Sequence, residues 1–141
     1  MRTEATLEAP TSLTRLRPYV IDLGEYPRWM PLVHRATVAG PGAWDVELRA
    51  KVGPFARSKR LRMVRSESQS PSLVRFERRE IDGRTHAPWV LTATITSSGG
   101  TSTLTMHLHY GGSLFTGGIL ERVLGEQIER GRSRLAALVE N

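Results

Sequence analysis

Cysteine is absent from this 141-residue chain. That excludes disulfides, thiol catalysis and thiolate metal sites, and it is compatible with a reducing compartment. Long apolar runs are also missing. None approaches the roughly 18 residues of a membrane-crossing helix. The first stretch, MRTEATLEAPTSLTRLRPYV, carries polar residues throughout and has no apolar segment of the signal-peptide kind. Cytoplasm is the expected location. Lysine is scarce: Lys51 and Lys59 are the only two, so 18 of the 20 basic residues are arginine. The formal charge of +6 would suit a phosphate-bearing partner. An arginine bias also follows from genome composition, so where the charges fall matters more than their sum. No nucleophile elbow, P-loop or dinucleotide fingerprint is present. GGSLFTGG (Gly111–Gly118) lacks the Lys-Ser/Thr ending of a P-loop and reads as a flexible joint before a final helix. No repeat, linker or low-complexity stretch divides the chain, and its length fits one domain spanning residues 1–141.

What is present is regular punctuation. TEATLEA (Thr3–Ala9) reads as a strand. Pro10 opens a helical stretch capped by Thr11 or Ser12, which Pro18 should interrupt, with a second helical piece from Tyr19 to about Tyr26. Strand-like runs then follow, separated by GPG (Gly40–Gly42), GP (Gly53–Pro54), SQSPS (Ser68–Ser72), DG (Asp82–Gly83) and SSGG (Ser97–Gly100). These are turn chemistries, and Asp-Gly is a favoured two-residue hairpin loop. Five turns joining about six strands predict an antiparallel meander. Alternation assigns the faces: Trp44, Val46, Leu48, Ala50 and Val52 oppose Asp45, Glu47, Arg49 and Lys51. Likewise Trp89, Leu91, Ala93 and Ile95 share one face, as do Leu104, Met106, Leu108 and Tyr110. Such strands lay one face on an apolar layer and the other in water.

The cover for that face is the last long element, in which Leu120, Leu124, Ile128, Leu135 and Leu138 recur at helical spacing. Glu126 and Arg130 form an i, i+4 pair in the favourable order. Gly117, Gly118, Gly125 and Gly131 weaken this helix by about 1 kcal/mol each if interior, so they predict a frayed start or a close approach by the sheet backbone. EYPRWMPLVH (Glu25–His34) sets Trp29 and Met30 between Pro27 and Pro31, and can be neither a long helix nor a central strand.

This order of elements resembles the START-like, helix-grip superfamily, also called SRPBCC, and most closely its polyketide cyclase/dehydrase or lipid-transport branch. The resemblance covers the whole chain: the first strand, Ala9–Pro10, the Asp22-to-Pro31 segment with YP.WMP, the meander, and a terminal helix ending RL..LVE. It departs from the family at Pro18, where relatives commonly run an uninterrupted helix. It implies an α+β fold: a curved antiparallel β-sheet of about seven strands wrapped around a long C-terminal α-helix, with short helices after strand 1. It also implies a cavity between sheet and helix for a hydrophobic or amphipathic small molecule, lipid- or polyketide-like.

A pocket of about 300 Å³ or more is the ordinary size for such a ligand. Left empty it would cost on the order of 7 kcal/mol, so it should hold water or ligand, or be smaller. The expected lining is Trp29, Trp44, Met63, Phe76, Trp89, Leu91, Met106, Leu108, Tyr110, Phe115, Leu120 and Leu124, with Trp29 and Met30 near the mouth. An alternative is a cyclase/dehydrase-type enzyme using the same pocket, in which Tyr110 or Arg78 polarises a carbonyl. A minor alternative is nucleic-acid or membrane-surface binding through an arginine-rich sheet face built from Arg60, Arg62, Arg75 and Arg79. Opposite charges at Asp45, Glu47 and Glu77 make that face better suited to solvated cross-strand pairing. His107 and His109 share a solvent-side strand face but lack a third metal ligand, so no metal and no cofactor are expected. The expected partner is a hydrophobic small molecule, with no DNA and no membrane span, in a monomer or homodimer.

Overall fold

In this computed structural model the described residues are 2–52, 54–66, 70–111 and 119–139, and all statements below concern them. The expected turns at Gly53 and Ser68, the joint at 112–118 and Phe115 lie outside them. Seven strands run β1 (Arg2–Ala9), β2 (Val33–Gly40), β3 (Ala43–Val52), β4 (Phe55–Ser66), β5 (Leu73–Arg78), β6 (Trp89–Ser98) and β7 (Thr101–Tyr110). They form one antiparallel sheet in the order β1-β7-β6-β5-β4-β3-β2. Between β1 and β2 lie α1 (Leu13–Val20) and a 3-10 helix (Leu23–Arg28), and α2 (Ile119–Val139) closes the chain. This is the curved sheet and terminal helix that the alternation and the helical stripe predict.

The faces follow the pleat. Trp44, Val46, Leu48 and Ala50 are buried on β3, as are Leu104, Met106, Leu108 and Tyr110 on β7, while His107 and His109 are exposed. Asp45 pairs with Arg62 and Glu47 with Arg60 across β3 and β4. The expected cross-strand charge ladder is therefore present, with Arg60 and Glu47 3.4 Å apart.

Three local expectations need correction. Pro18 does not interrupt α1, which runs on to Val20. Pro18 costs only the bond to the Thr14 carbonyl, and both residues are exposed, so water takes that bond; fully buried Leu16 and Val20 hold the helix from the other side. The helical piece after it is a separate 3-10 turn, its start capped by Asp22, which accepts from the Gly24 amide at 2.8 Å. Asp82–Gly83 does not make a two-residue hairpin, because β5 ends at Arg78 and β6 starts at Trp89. Asp82 instead accepts from the Arg84 amide at 3.0 Å and pairs with His86 at 2.9 Å, shaping a longer connection. Two-residue hairpins occur instead at Pro41–Gly42, between paired Gly40 and Ala43, and at Gly99–Gly100, with φ of 59° and 84° between paired Ser98 and Thr101. Finally, Glu126 and Arg130 are both exposed and form no ion pair, as exposed pairs gain little from closing.

Ser12 caps α1, accepting from the Arg15 amide at 3.3 Å. The C-terminal half of α2 is tied to α1 through Arg15 donating to the Val139 carbonyl at 3.3 Å and Tyr19 donating to that of Leu138 at 3.2 Å. Gly131 explains the close approach there. A Cβ at this position would lie 2.6 Å from the Trp29 carbonyl oxygen. The partner is thus the segment after the 3-10 helix rather than the sheet backbone. No helix among the described residues is long and apolar enough to cross a membrane.

Candidate functional site

Between the inner face of the sheet and the first half of α2 the packing is incomplete. A hollow of about 60 Å³ remains, walled by Met30, Met63 and Met106, by Leu61, Leu91 and Leu108 from the sheet, and by Leu124 from α2. Trp89 and Tyr26 complete its sides with Leu23, Leu32, Val33, Val46 and Leu48. This is well below the roughly 300 Å³ of a drug-sized pocket. Among the described residues the hollow is smaller than the cavity the resemblance implies. An empty hollow of this size costs on the order of 1–2 kcal/mol, a modest fraction of a domain's stability.

The 3-10 helix and the Pro31 segment account for the difference. The two prolines turn the chain so that Leu23, Tyr26, Met30 and Leu32 are pushed under the sheet. Tyr26 is fully buried and donates to the Val20 carbonyl at 2.8 Å. Burial pushes its hydroxyl pKa strongly up, so it stays neutral. The Leu32 amide donates to Gln127 Oε1 of α2 at 2.7 Å, which bolts this segment to the helix. Among the described lining residues there is no carboxylate, imidazole or ammonium group. The indole Nε1 of Trp89 is buried and has no partner among the described residues.

The structure distributes the expected lining residues as follows. Met63, Trp89, Leu91, Met106, Leu108 and Leu124 surround the hollow. Trp29 does not sit at a mouth. Its ring packs on Gly131 in the clamped half of α2, and its Nε1 donates to the Tyr19 carbonyl at 3.0 Å. Trp44 lies under the Arg65 guanidinium, 5.7 Å from the ring centre, and Arg65 donates to the Ile21 carbonyl at 2.7 Å. Phe76 is fully buried, edge-on to Trp44 and Tyr26 at 5.7 and 6.1 Å. Tyr110 is buried against Trp89 at 5.5 Å. None of these four lines the hollow. Phe115 is outside the described residues, and for Leu120 only the backbone, in α2, is described.

Sequence reasoning missed Val46, Leu48 and Leu61, although they share faces with Trp44 and Met63 and parity alone reaches them. It also missed Leu23, Tyr26, Leu32 and Val33, which depend on the path of an irregular segment.

Arg78 is not at the hollow either. It is largely buried at the end of β5, donating to Glu80 at 3.0 Å and to the Ala87 carbonyl at 3.3 Å. Glu80 also accepts from the Arg62 amide at 2.9 Å, replacing the ladder where β4 and β5 part. Burial pushes the Glu80 pKa up, but the Arg62 amide and the Arg78 guanidinium outweigh it, leaving the carboxyl below its ordinary value. Lys59, nearby, is lowered by burial and by the charge of Arg78. Arg78 and Glu80 thus hold each other at a strand end, away from the hollow. Among the described residues no group of three His, Asp or Glu side chains is placed to hold a metal.

A seven-stranded antiparallel sheet gripping one terminal helix, with an apolar hollow beneath it, defines a START-like helix-grip protein. Residues 1–140 match the family described as polyketide cyclase / dehydrase and lipid transport, and the chain belongs to that family. Solved structures agree on the fold. A START superfamily protein from Mycobacterium smegmatis superposes with a TM-score of 0.75 at 16% identity, covering 99% of this chain and 97% of that one. A conserved protein from Geobacillus kaustophilus gives 0.72 at 10% identity, covering 97% and 96%. Protein CV1439 from Chromobacterium violaceum gives 0.70 at 15% identity, covering 99% and 97%. Among curated proteins none matches the sequence. Family and fold together suggest a START-like protein that binds a hydrophobic ligand.

Proposed function

We propose that this protein binds a hydrophobic or amphipathic small molecule, lipid- or polyketide-like, in the hollow between the sheet and the first half of α2. The observation that carries the reading is a wholly apolar hollow walled by three methionines. Methionine has three rotatable bonds and a polarisable sulfur, so its rotamers can change to widen a space without breaking hydrogen bonds. At about 60 Å³ the hollow admits only a thin chain or small group as it stands. Binding a larger ligand requires Met30, Met63 and Met106 to move aside. The family description, with its cyclase and lipid-transport members, supports the ligand class.

Calorimetric titration with decanol tests the reading. Decanol should bind the wild type with a negative heat-capacity change, the mark of apolar burial. Leu124→Phe, which fills the hollow, should abolish binding while the protein remains folded. Absence of binding to the wild type, or unchanged binding to Leu124→Phe, would overturn it.

A further inference from the structure

We propose that a second cavity, the groove between α2, β3 and the start of β2, is an oxyanion site. Resting on the ligand reading above, the molecule bound in the hollow is then an amphiphile whose carboxylate or phosphate head lies in this groove. The groove has a volume of about 380 Å³ and is lined by His34, Arg49, Lys51, Glu126, Gln127 and Arg130.

Its charge is unbalanced. Arg49, Lys51 and Arg130 face one carboxylate, that of Glu126, and none of these four side chains has an ion-pair or hydrogen-bond partner among the described residues. The contrast with the groove on the outer sheet face is direct. There, in a cavity of about 410 Å³, Arg60 is paired with Glu47 and Arg62 stands opposite Asp45. Surface arginines scattered singly are merely solvated. Three cations converging on one concavity repel each other, and an anion bound between them relieves that repulsion.

The backbone contributes a second argument. Val33 pairs with Leu48 and Arg35 with Glu47, so one extra residue, His34, is bulged out of edge strand β2. Such bulges re-aim side chains. Here the bulge places exposed His34 in the groove while its neighbour Val33 stays at the hollow.

The third argument is adjacency. Ala50, two residues past Leu48 on the same inward face of β3, lines the groove, as does Val123 beside Leu124 on α2, so the two spaces share a wall on the inner side of the sheet. Leu32 belongs to the hollow and Gln127 to the groove, so the 2.7 Å hydrogen bond between them lies on the partition. A tail in the hollow therefore brings its head to this partition, beside the cations.

The test titrates decanoate, decanol and inorganic phosphate into the wild type and into a variant carrying Arg49→Gln and Arg130→Gln, both at exposed positions. Decanoate should bind the wild type about tenfold or more tighter than decanol, as charge-assisted contacts allow. The preference should vanish in the variant, with decanol affinity unchanged, and should shrink with added salt. Equal binding of decanoate and decanol to the wild type would overturn the oxyanion site. If neither tail-bearing compound binds while phosphate binds the wild type and not the variant, the groove stands as a site for a free anion, and it is the hollow reading that fails. If none of the three binds, both are overturned.

Discussion

At Gly131 α2 lies so close to Trp29 that an added Cβ would sit 2.6 Å from a backbone oxygen, whereas at Gly125, earlier in the same helix, nothing lies within 4 Å. The second half of α2 buries Leu135 and Val139 almost completely and takes hydrogen bonds from Arg15 and Tyr19 of α1. The first half meets the sheet through Leu124 and leaves the hollow beside it. Gly125 lies on the exposed face of α2, whereas Gly131 lies on the face turned to Trp29. The two halves therefore differ in what they pack against: the second meets Trp29 and α1, while the first buries Val123, Leu124 and Ile128 and borders the hollow.

The contrast can be broken most severely at the clamp. Gly131→Ala should lose about 2 kcal/mol or more, because backbone atoms cannot yield as a side chain would. Gly125→Ala should instead gain up to about 1 kcal/mol from helix propensity. Urea midpoints of the two variants, with unchanged slopes, decide the matter; equal effects would remove the distinction. Enlarging the two leucines sharpens it next. Leu135→Phe should cost about 1–3 kcal/mol, as overpacking does in a filled core, while Leu124→Phe should cost less than that because the hollow receives the ring. Thermal unfolding of the pair measures the difference.

A smaller effect is expected at the wall itself. Tyr26→Phe strips the Val20 carbonyl of its buried donor and should cost about 1 kcal/mol, read by denaturant unfolding. The smallest lies away from both ends, at Glu80. Its folded pKa is depressed below the ordinary 4.5, so its contribution is complete above that value and is lost as pH falls through the folded value. Glu80→Gln should flatten the acid limb of the stability curve below about pH 4.5 and leave neutral pH little changed in slope.

The sheet was legible because alternation is a strong signal: one inward set on β3, β6 and β7 predicts which side chains leave water, whatever the loops do. The stripe on α2 was legible for the same reason. The depth of the space beneath that helix was not. It depends on how near Trp29 comes to Gly131, and on how far the prolines tuck Met30 and Leu32 under the sheet. Neither quantity has a period along the chain. Trp29 illustrates the point: by size and setting alone it reads first as a core plug, and only the superfamily resemblance raises the cavity wall to a near-equal reading. Only the position of Gly131 decides for the plug. Asp82–Gly83 shows the complementary failure, in which turn chemistry is right but the connection is lengthened by a carboxylate that finds a histidine. The large pocket came from the superfamily resemblance, and the three methionines here fill much of what that resemblance implies.

The three indoles occupy unlike surroundings, and this gives the molecule a built-in optical gauge. Trp29 is hydrogen-bonded to a carbonyl, Trp44 lies beneath a guanidinium, and Trp89 alone borders the hollow. Emission that changes on filling the hollow should therefore come from Trp89. Replacing it with phenylalanine would silence the response while the other two continue to report on the integrity of the fold.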